Sequence, residues 1–347
     1  MGDNSALCLQ YLIPRKKGIM IRLAFIILTL SSLVSAWWLA GVTGEALLPP
    51  LPVQQLDHFR LNRNLKSYLD KIDVLIQPSS TVCSQKKDIP VLVLVTSSPT
   101  RFEHREAIRS TWAKHLPTYF IMGLDGPTIE DLLVDNYVEA KKYSDVIIYN
   151  FQDHYQNLTL KTALMLKWTS ERCPTGLMLF KTDDDVLVNP WMLKRVLHET
   201  AGRDLVGYRK MNNYLHRDEY SKWFAPRWLH RQDFISEYLS GTGYLINGKV
   251  IKKILETAFE VPMINLEDVY FTYLVAKLRL GLNLTHDHRL SPYRPVVNVG
   301  CLFAGLASAH SLAPREMRDS WSRVEAAAKS GFCDHFVDSY WSEWFLY

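Results

Sequence analysis

Apolar residues in this chain come in short unbroken runs, separated by stretches in which they recur every third or fourth position. Ile89–Ser97 reads IPVLVLVTS, and a continuous β-branched run of that kind predicts a strand buried on both faces. Leu177–Lys181 predicts a second buried strand, and Thr118–Met122 and Asp145–Tyr149 predict shorter ones. Glu103–Trp112, Leu160–Glu171 and Trp191–Glu199 carry helical periodicity between them. Strand and helix alternate, which predicts an α/β body of three layers on a mostly parallel mixed sheet. Ligands bind such sheets at the carboxyl ends of their strands.

The N-terminal pattern is different. Leu23–Val42 is a predominantly apolar, uncharged run and follows Arg15, Lys16, Lys17 and Arg22. Its length matches the roughly 20 residues of a bilayer-spanning helix, and the preceding basic residues put the short tail in the cytosol. Trp37 and Trp38 suit the far interface. A cleaved signal peptide ending near Ser35-Ala36 is the alternative, although the run is long for one. Residues 43–87 hold Pro49, Pro50 and Pro52 in an irregular pattern and read as a stem. The expected organisation is a tail (1–22), a transmembrane signal-anchor (23–42), a stem (43–87) and a luminal catalytic domain (88–347), with folding beginning near Cys83.

Composition adds two points. The formal charge of +4 is spread along the chain and leaves no nucleic-acid footprint. Of the five cysteines, Cys8 would be cytosolic, whereas Cys83, Cys173, Cys301 and Cys333 would face an oxidising lumen. Four cysteines allow three pairings; the favoured one has Cys83–Cys173 bracketing the opening α/β half and Cys301–Cys333 closing the C-terminal segment. Asn157-Leu-Thr and Asn283-Leu-Thr are sequons, with N-glycans expected at both.

Candidate chemistry concentrates in four places. Asp183-Asp184-Asp185 follows a buried strand, and three adjacent carboxylates there suit a hard divalent cation carrying substrate phosphates; an acidic turn capping the next helix is the alternative. Glu267-Asp268 opens a helix and is either a cap or part of a site. Arg105 and Arg109 share a helix face after the first strand, where they could meet a pyrophosphate or merely pair with Glu103 or Glu106. Ser240-Gly-Thr-Gly-Tyr244 reads as a tight turn, with or without a ligand beside it. His286-Asp-His288 is discounted as a metal cluster, and His310 has no signal of its own.

Together these segments resemble the β1,3-galactosyltransferase family, which includes β1,3-N-acetylglucosaminyltransferases and is related to the Fringe enzymes. The likeness runs from about Cys83 to Cys333. It rests on Arg105-Glu-Ala-Ile-Arg109-Ser-Thr-Trp112, Asn157-Leu-Thr-Leu-Lys161-Thr162, Lys181-Thr-Asp-Asp-Asp185, Ser221-Lys-Trp223, Ser240-Gly-Thr-Gly-Tyr244, Glu267-Asp-Val-Tyr270, and His310 followed by Pro314-Arg-Glu-Met317. The resemblance implies a GT-A nucleotide-sugar fold in a Golgi type II membrane protein. It also implies an inverting hexosyl transfer from UDP-galactose, or alternatively UDP-N-acetylglucosamine, to a glycan acceptor on a glycoprotein or glycolipid. It places donor binding on Arg105, Arg109, Asp183 and Asp184, Mn²⁺ on Asp185 and His310, and the general base on Asp268. Relatives often carry cysteines where this chain has Leu239 and Leu274, as loss of one disulfide would leave them. A chaperone or lectin-like relative would keep the fold without the acidic residues, and here they are intact.

Overall fold

The structure, a computed structural model, describes residues 24–38, 54–78, 83, 90–124, 129–295 and 300–330. Ten strands are present among them: β1 (Val74–Ile76), β2 (Val91–Thr96), β3 (Thr118–Gly123), β4 (Val146–Tyr149), β5 (Met178–Asp183), β6 (Leu187–Val188), β7 (Leu205–Tyr214), β8 (Phe234–Asn247), β9 (Leu284–His286) and β10 (Ser308–Ala309). The helices of the body are α1 (Gln54–Leu61), α2 (Leu65–Leu69), α3 (Phe102–Ser110), α4 (Ile129–Tyr143), α5 (Leu158–Arg172), α6 (Pro190–Glu199), α7 (Gly248–Ala258), α8 (Val269–Arg279), α9 (Gly300–Ala304) and α10 (Pro314–Ser330). Of these, α8 is wound with a π-helical pitch.

Eight strands form one sheet in the order β1-β4-β3-β2-β5-β8-β7-β9. Its first half is parallel through β4, β3, β2 and β5. From β5 onward it turns antiparallel, through β8 and β7, before β9 adds a parallel edge. With β1 antiparallel to β4 at the other edge, the sheet is mixed, as predicted, and parallel pairs outnumber antiparallel ones only slightly. The long β7–β8 pair carries exposed residues along its outer part, so it lacks the continuous apolar run of a buried strand.

Both faces of the parallel half are covered. Val91, Val93 and Val95 of β2 join one core with Ile108, Trp112 and Trp321, while Leu92 and Leu94 join the other with Leu164, Trp168 and Ile251. Alternate residues of one strand are thus buried in opposite directions, which requires a helix layer on each side.

The predicted stem is in part body. Phe59 and Leu65 are fully buried with Leu56 and Leu69 in the larger core, Arg63 Nε donates to Met263 O at 2.8 Å, and β1 pairs with β4. Leu56 and Phe59, then Leu65 and Leu69, each recur at helical spacing, but the break at Asn62–Asn64 hides the pattern in one short window. Cys83 bonds to Cys173, as the sequence suggested. Cys301 is also disulfide-bonded, and Cys333 lies outside the described residues.

Residues 24–38 are helical and exposed. Among the described residues no helix is long and apolar enough to cross a membrane. Leu23 and residues 39–42 of the predicted anchor, the cytosolic tail and Cys8 lie outside the described residues.

The two sequons separate. Asn283 is exposed, whereas Asn157 is buried and its Nδ2, the atom that would carry a glycan, donates to Gln152 O at 2.8 Å. Of the two, Asn283 is the accessible sequon.

Candidate active site

Strand β5 delivers the acidic triplet, and its three carboxylates diverge. Asp183 accepts hydrogen bonds from Lys181 Nζ at 2.8 Å and Thr96 Oγ1 at 2.5 Å. Burial opposes its ionisation, but Lys181 and Thr96 hold it below the usual carboxylate range. Asp184 turns the other way, accepting from Ser97 Oγ at 2.7 Å and Arg101 Nε at 2.7 Å. Asp185 faces His310, whose Nε2 lies 3.4 Å from Oδ1. Burial pushes the Asp185 carboxyl up, Asp183 and Asp184 add to this, and His310 opposes it.

His310 reaches the triplet because β10 pairs with β6, Ala309 opposite Leu187. The Leu312 N–H then donates to Asp185 O at 3.0 Å, and Trp112 Nε1 donates to Val186 O at 3.1 Å. One ligand atom each from Asp183, Asp185 and His310 lies within 4.8 Å of the others. Two carboxylate oxygens and an imidazole nitrogen fit a divalent ion of the Mn²⁺ kind. The strained ionisation of Asp185 is the imbalance such an ion would relieve.

The second carboxylate pair sits across β8. Ser240–Tyr244 is not a turn but the interior of that strand, with Gly243 opposite Thr182 of β5. Its first glycine serves close approach: a Cβ at Gly241 would lie 3.0 Å from Glu267 Oε1 and 3.1 Å from Asp268 Oδ2. Asp268 caps α8, its Oδ1 accepting from Val269 N at 2.8 Å, while Oδ2 accepts from Gly241 N at 3.0 Å. The cap and the candidate base are therefore the same carboxylate. Burial pushes it up, and the two backbone donors with Lys181 and Lys210 restrain the rise.

Glu267 is sealed in. Its Oε2 accepts from Tyr244 Oη at 3.0 Å and Thr162 Oγ1 at 3.2 Å, and its Oε1 lies 2.9 Å from Lys181 Nζ, an ion pair without a well-aligned hydrogen bond. Burial pushes its carboxyl up to about 7, with Lys181 opposing and Asp268 and Asp183 adding to the rise. Asp268 keeps partial exposure, so it is the member of the pair that a substrate hydroxyl can reach.

Arg105 and Arg109 do not present free guanidinium groups to a pyrophosphate. Arg105 is fully buried; its Nε and Nη2 donate to Glu139 at 2.7 and 2.6 Å, and its Nη1 donates to Ser97 Oγ at 3.0 Å. Arg109 binds Asp145 through Nε and Nη2, both at 2.8 Å, with Glu139 and Glu106 as further partners. These charges lock α3 to α4 and hold Ser97, which in turn orients Asp184. Arg101 is the arginine that touches the triplet, and Lys181 is the cation that touches both acidic groups; Arg101 lies outside every sequence motif, and Lys181 opens one without being given a role there. The signal for Lys181 was a lysine inside an otherwise apolar buried strand, a position that demands a partner. His286 and His288 are not among the clustered metal-ligand candidates of the described residues.

Residues 103–286 match the galactosyltransferase family model. β-1,3-Galactosyltransferase 5 of Homo sapiens is 32% identical over 260 residues, covering 71% of this chain and 81% of that protein. β-1,3-Galactosyltransferase 1 of Mus musculus is 29% identical over 253 residues, covering 70% and 76%. The crystal structure of galactosyltransferase LgtC with donor and acceptor sugar analogs covers 69% of this chain and 95% of its own at 13% identity. The TM-score between the two is 0.35. The family match encloses Asp183–Asp185 and Glu267–Asp268, and with more than two thirds of the human relative covered at 32% identity, this chain belongs to the galactosyltransferase family and is a glycosyltransferase.

Proposed function

We propose that this chain transfers galactose from UDP-galactose to the 3-hydroxyl of an acceptor sugar with inversion, forming a β1,3 linkage on a glycoprotein or glycolipid glycan. The observation that carries this reading is the separation of roles: a three-ligand cluster at Asp183, Asp185 and His310, and an independent, partly open carboxylate at Asp268. In this reading the body is a GT-A domain held in the Golgi lumen by a type II anchor over residues 23–42, and Asn283 carries an N-glycan.

Asp185 and His310, with Asp183, would hold Mn²⁺, which supplies Lewis-acid neutralisation of the charge on the departing diphosphate. The remaining steps belong to the protein. Asp268 accepts the proton of the acceptor hydroxyl as its oxygen bonds to the anomeric carbon. The bond from that carbon to the β-phosphate oxygen breaks, and its electron pair leaves with UDP. Attack opposite an α-linked leaving group gives the β product. Gly241 N–H and Val269 N–H fix the base by its two oxygens, so it is aimed before substrate arrives.

A panel of UDP-sugars with Mn²⁺ and simple glycan acceptors tests the reading. Transfer from UDP-galactose supports it. Transfer from UDP-N-acetylglucosamine instead would make the chain a β1,3-N-acetylglucosaminyltransferase, and absence of transfer from any donor would favour a non-catalytic relative.

A further inference from the structure

We propose that Lys181 is a two-ended positioning residue, one buried ammonium that fixes the metal-side carboxylate Asp183 and the base-side pair Glu267–Asp268 against each other. This rests on the functional reading above and adds a residue that it does not require.

Nζ has three N–H donors and no acceptor capacity. Three acceptors from three different elements surround it: Asp183 Oδ1 at 2.8 Å from its own strand, Gly241 O from β8, and Glu267 Oε1 at 2.9 Å at the head of α8. Lys181 is 1% exposed. Among the described residues it is the only Lys or Arg ion-paired to either Asp183 or Glu267.

The link continues to the base through a single residue. Gly241 gives its carbonyl to Lys181 and its N–H to Asp268 Oδ2. Asp268 is therefore tied to Lys181 through the backbone of Gly241, while Glu267 is tied to it directly. That backbone can run so close to both carboxylates because no Cβ intervenes.

Stability alone does not explain the arrangement. A buried cation with two carboxylates is often no better than well-packed apolar side chains of similar volume. The neighbouring positions Leu179 and Phe180 of β5 are packed apolar side chains. What the ammonium adds is one rigid point shared by two groups that must act on opposite sides of the same sugar.

The test uses the full-length chain in detergent and three measurements: thermal midpoint, Mn²⁺–UDP binding by calorimetry without acceptor, and kcat with acceptor KM. Lys181→Met is expected to weaken Mn²⁺–UDP binding by at least about fivefold and to lower kcat by roughly 10²-fold. Should Lys181→Met not fold, Lys181→Met/Glu267→Gln removes the cation together with its fully buried partner, leaving the partly exposed Asp183, and is expected to fold with the same two losses. Gly241→Ala presses a Cβ on Glu267 Oε1 and Asp268 Oδ2 at the base end; it should lower kcat by about tenfold and weaken Mn²⁺–UDP binding less than Lys181→Met does. A folded Lys181 variant with both quantities within about twofold of wild type, or with a loss at one end only, overturns the proposal. A wild-type chain that neither binds Mn²⁺–UDP nor transfers sugar contradicts the functional reading and this inference with it. A competent wild type with an indifferent Lys181 variant contradicts this inference alone.

Discussion

Asp183 and Glu267 both lie against the Lys181 ammonium, at 2.8 and 2.9 Å, yet Asp183 is held below the usual carboxylate range while Glu267 is pushed up to about 7. Burial opposes ionisation at both. The difference lies in what else each oxygen meets. Asp183 takes aligned hydrogen bonds from Lys181 and from Thr96, and it keeps partial exposure. Glu267 has an ion pair with Lys181, two neutral hydroxyl donors, almost no exposure, and the Asp268 charge beside it. A shared counter-ion therefore does not set a shared protonation state; the further donor on Asp183 and the neighbouring charges on Glu267 decide. Asp183 is held so that it stays ionised. The base end leaves Glu267 poised and Asp268 accessible.

The largest effect that can sharpen this contrast is expected at the metal end. Asp185→Ala removes a proposed metal ligand whose side chain meets only His310, at 3.4 Å, in an ion pair among the described residues, so the protein should stay folded. Transfer should fall by roughly 10³-fold or more, since Lewis-acid neutralisation contributes several kcal/mol to the departure of UDP. Turnover measured across a Mn²⁺ series, with circular dichroism as a check on folding, decides the point. Near-normal turnover in a chelator would break the assignment of Asp185 and His310.

Next is the pH dependence of stability. The folded-state carboxyl of Glu267 lies above its unfolded value, so folding favours the protonated form. Its stabilising contribution is fully present below the unfolded value and is lost as pH rises through about 7. Denaturant unfolding of the wild type between about pH 4.5 and 7 should show this component of decline, and Glu267→Gln should lack it. An identical pH slope in the two proteins would mean that Glu267 is ionised throughout, like Asp183.

The smallest effect concerns Arg101, whose half-exposed guanidinium pairs with the buried Asp184. Arg101→Gln should reduce kcat/KM by about tenfold or less, because a partly solvated pair contributes about 1 kcal/mol. A larger loss would move Arg101 from orienting Asp184 into direct contact with the donor.

The legible and hidden parts of this molecule divide along a physical line. Strands β2 and β5 were legible because burial on both faces demands continuous apolar runs, and the triplet was legible because adjacent carboxylates are costly without a cation. The partners of Arg105 and Arg109 were not, since Glu139 and Asp145 lie on other elements and only the fold decides between a phosphate and a buried carboxylate. Ser240–Tyr244 read as a turn because its two glycines serve two physical ends. In a strand interior they admit the Glu267 and Asp268 carboxylates and the Phe180 ring. His310 is brought in by a two-residue strand pairing, too short to leave a pattern.

The central claim is that Asp268, and not the better-buried Glu267, takes the acceptor proton. Turnover and UDP affinity should be measured side by side on Asp268→Asn and Glu267→Gln with Mn²⁺ and a competent acceptor. Asp268→Asn should lose roughly 10²-fold or more in turnover, the usual scale of general-base catalysis, with UDP affinity little changed. Glu267→Gln should lose less, because it removes a neighbour of the base and leaves the base itself in place. A dead Glu267→Gln beside an Asp268→Asn of near-normal turnover would contradict the account.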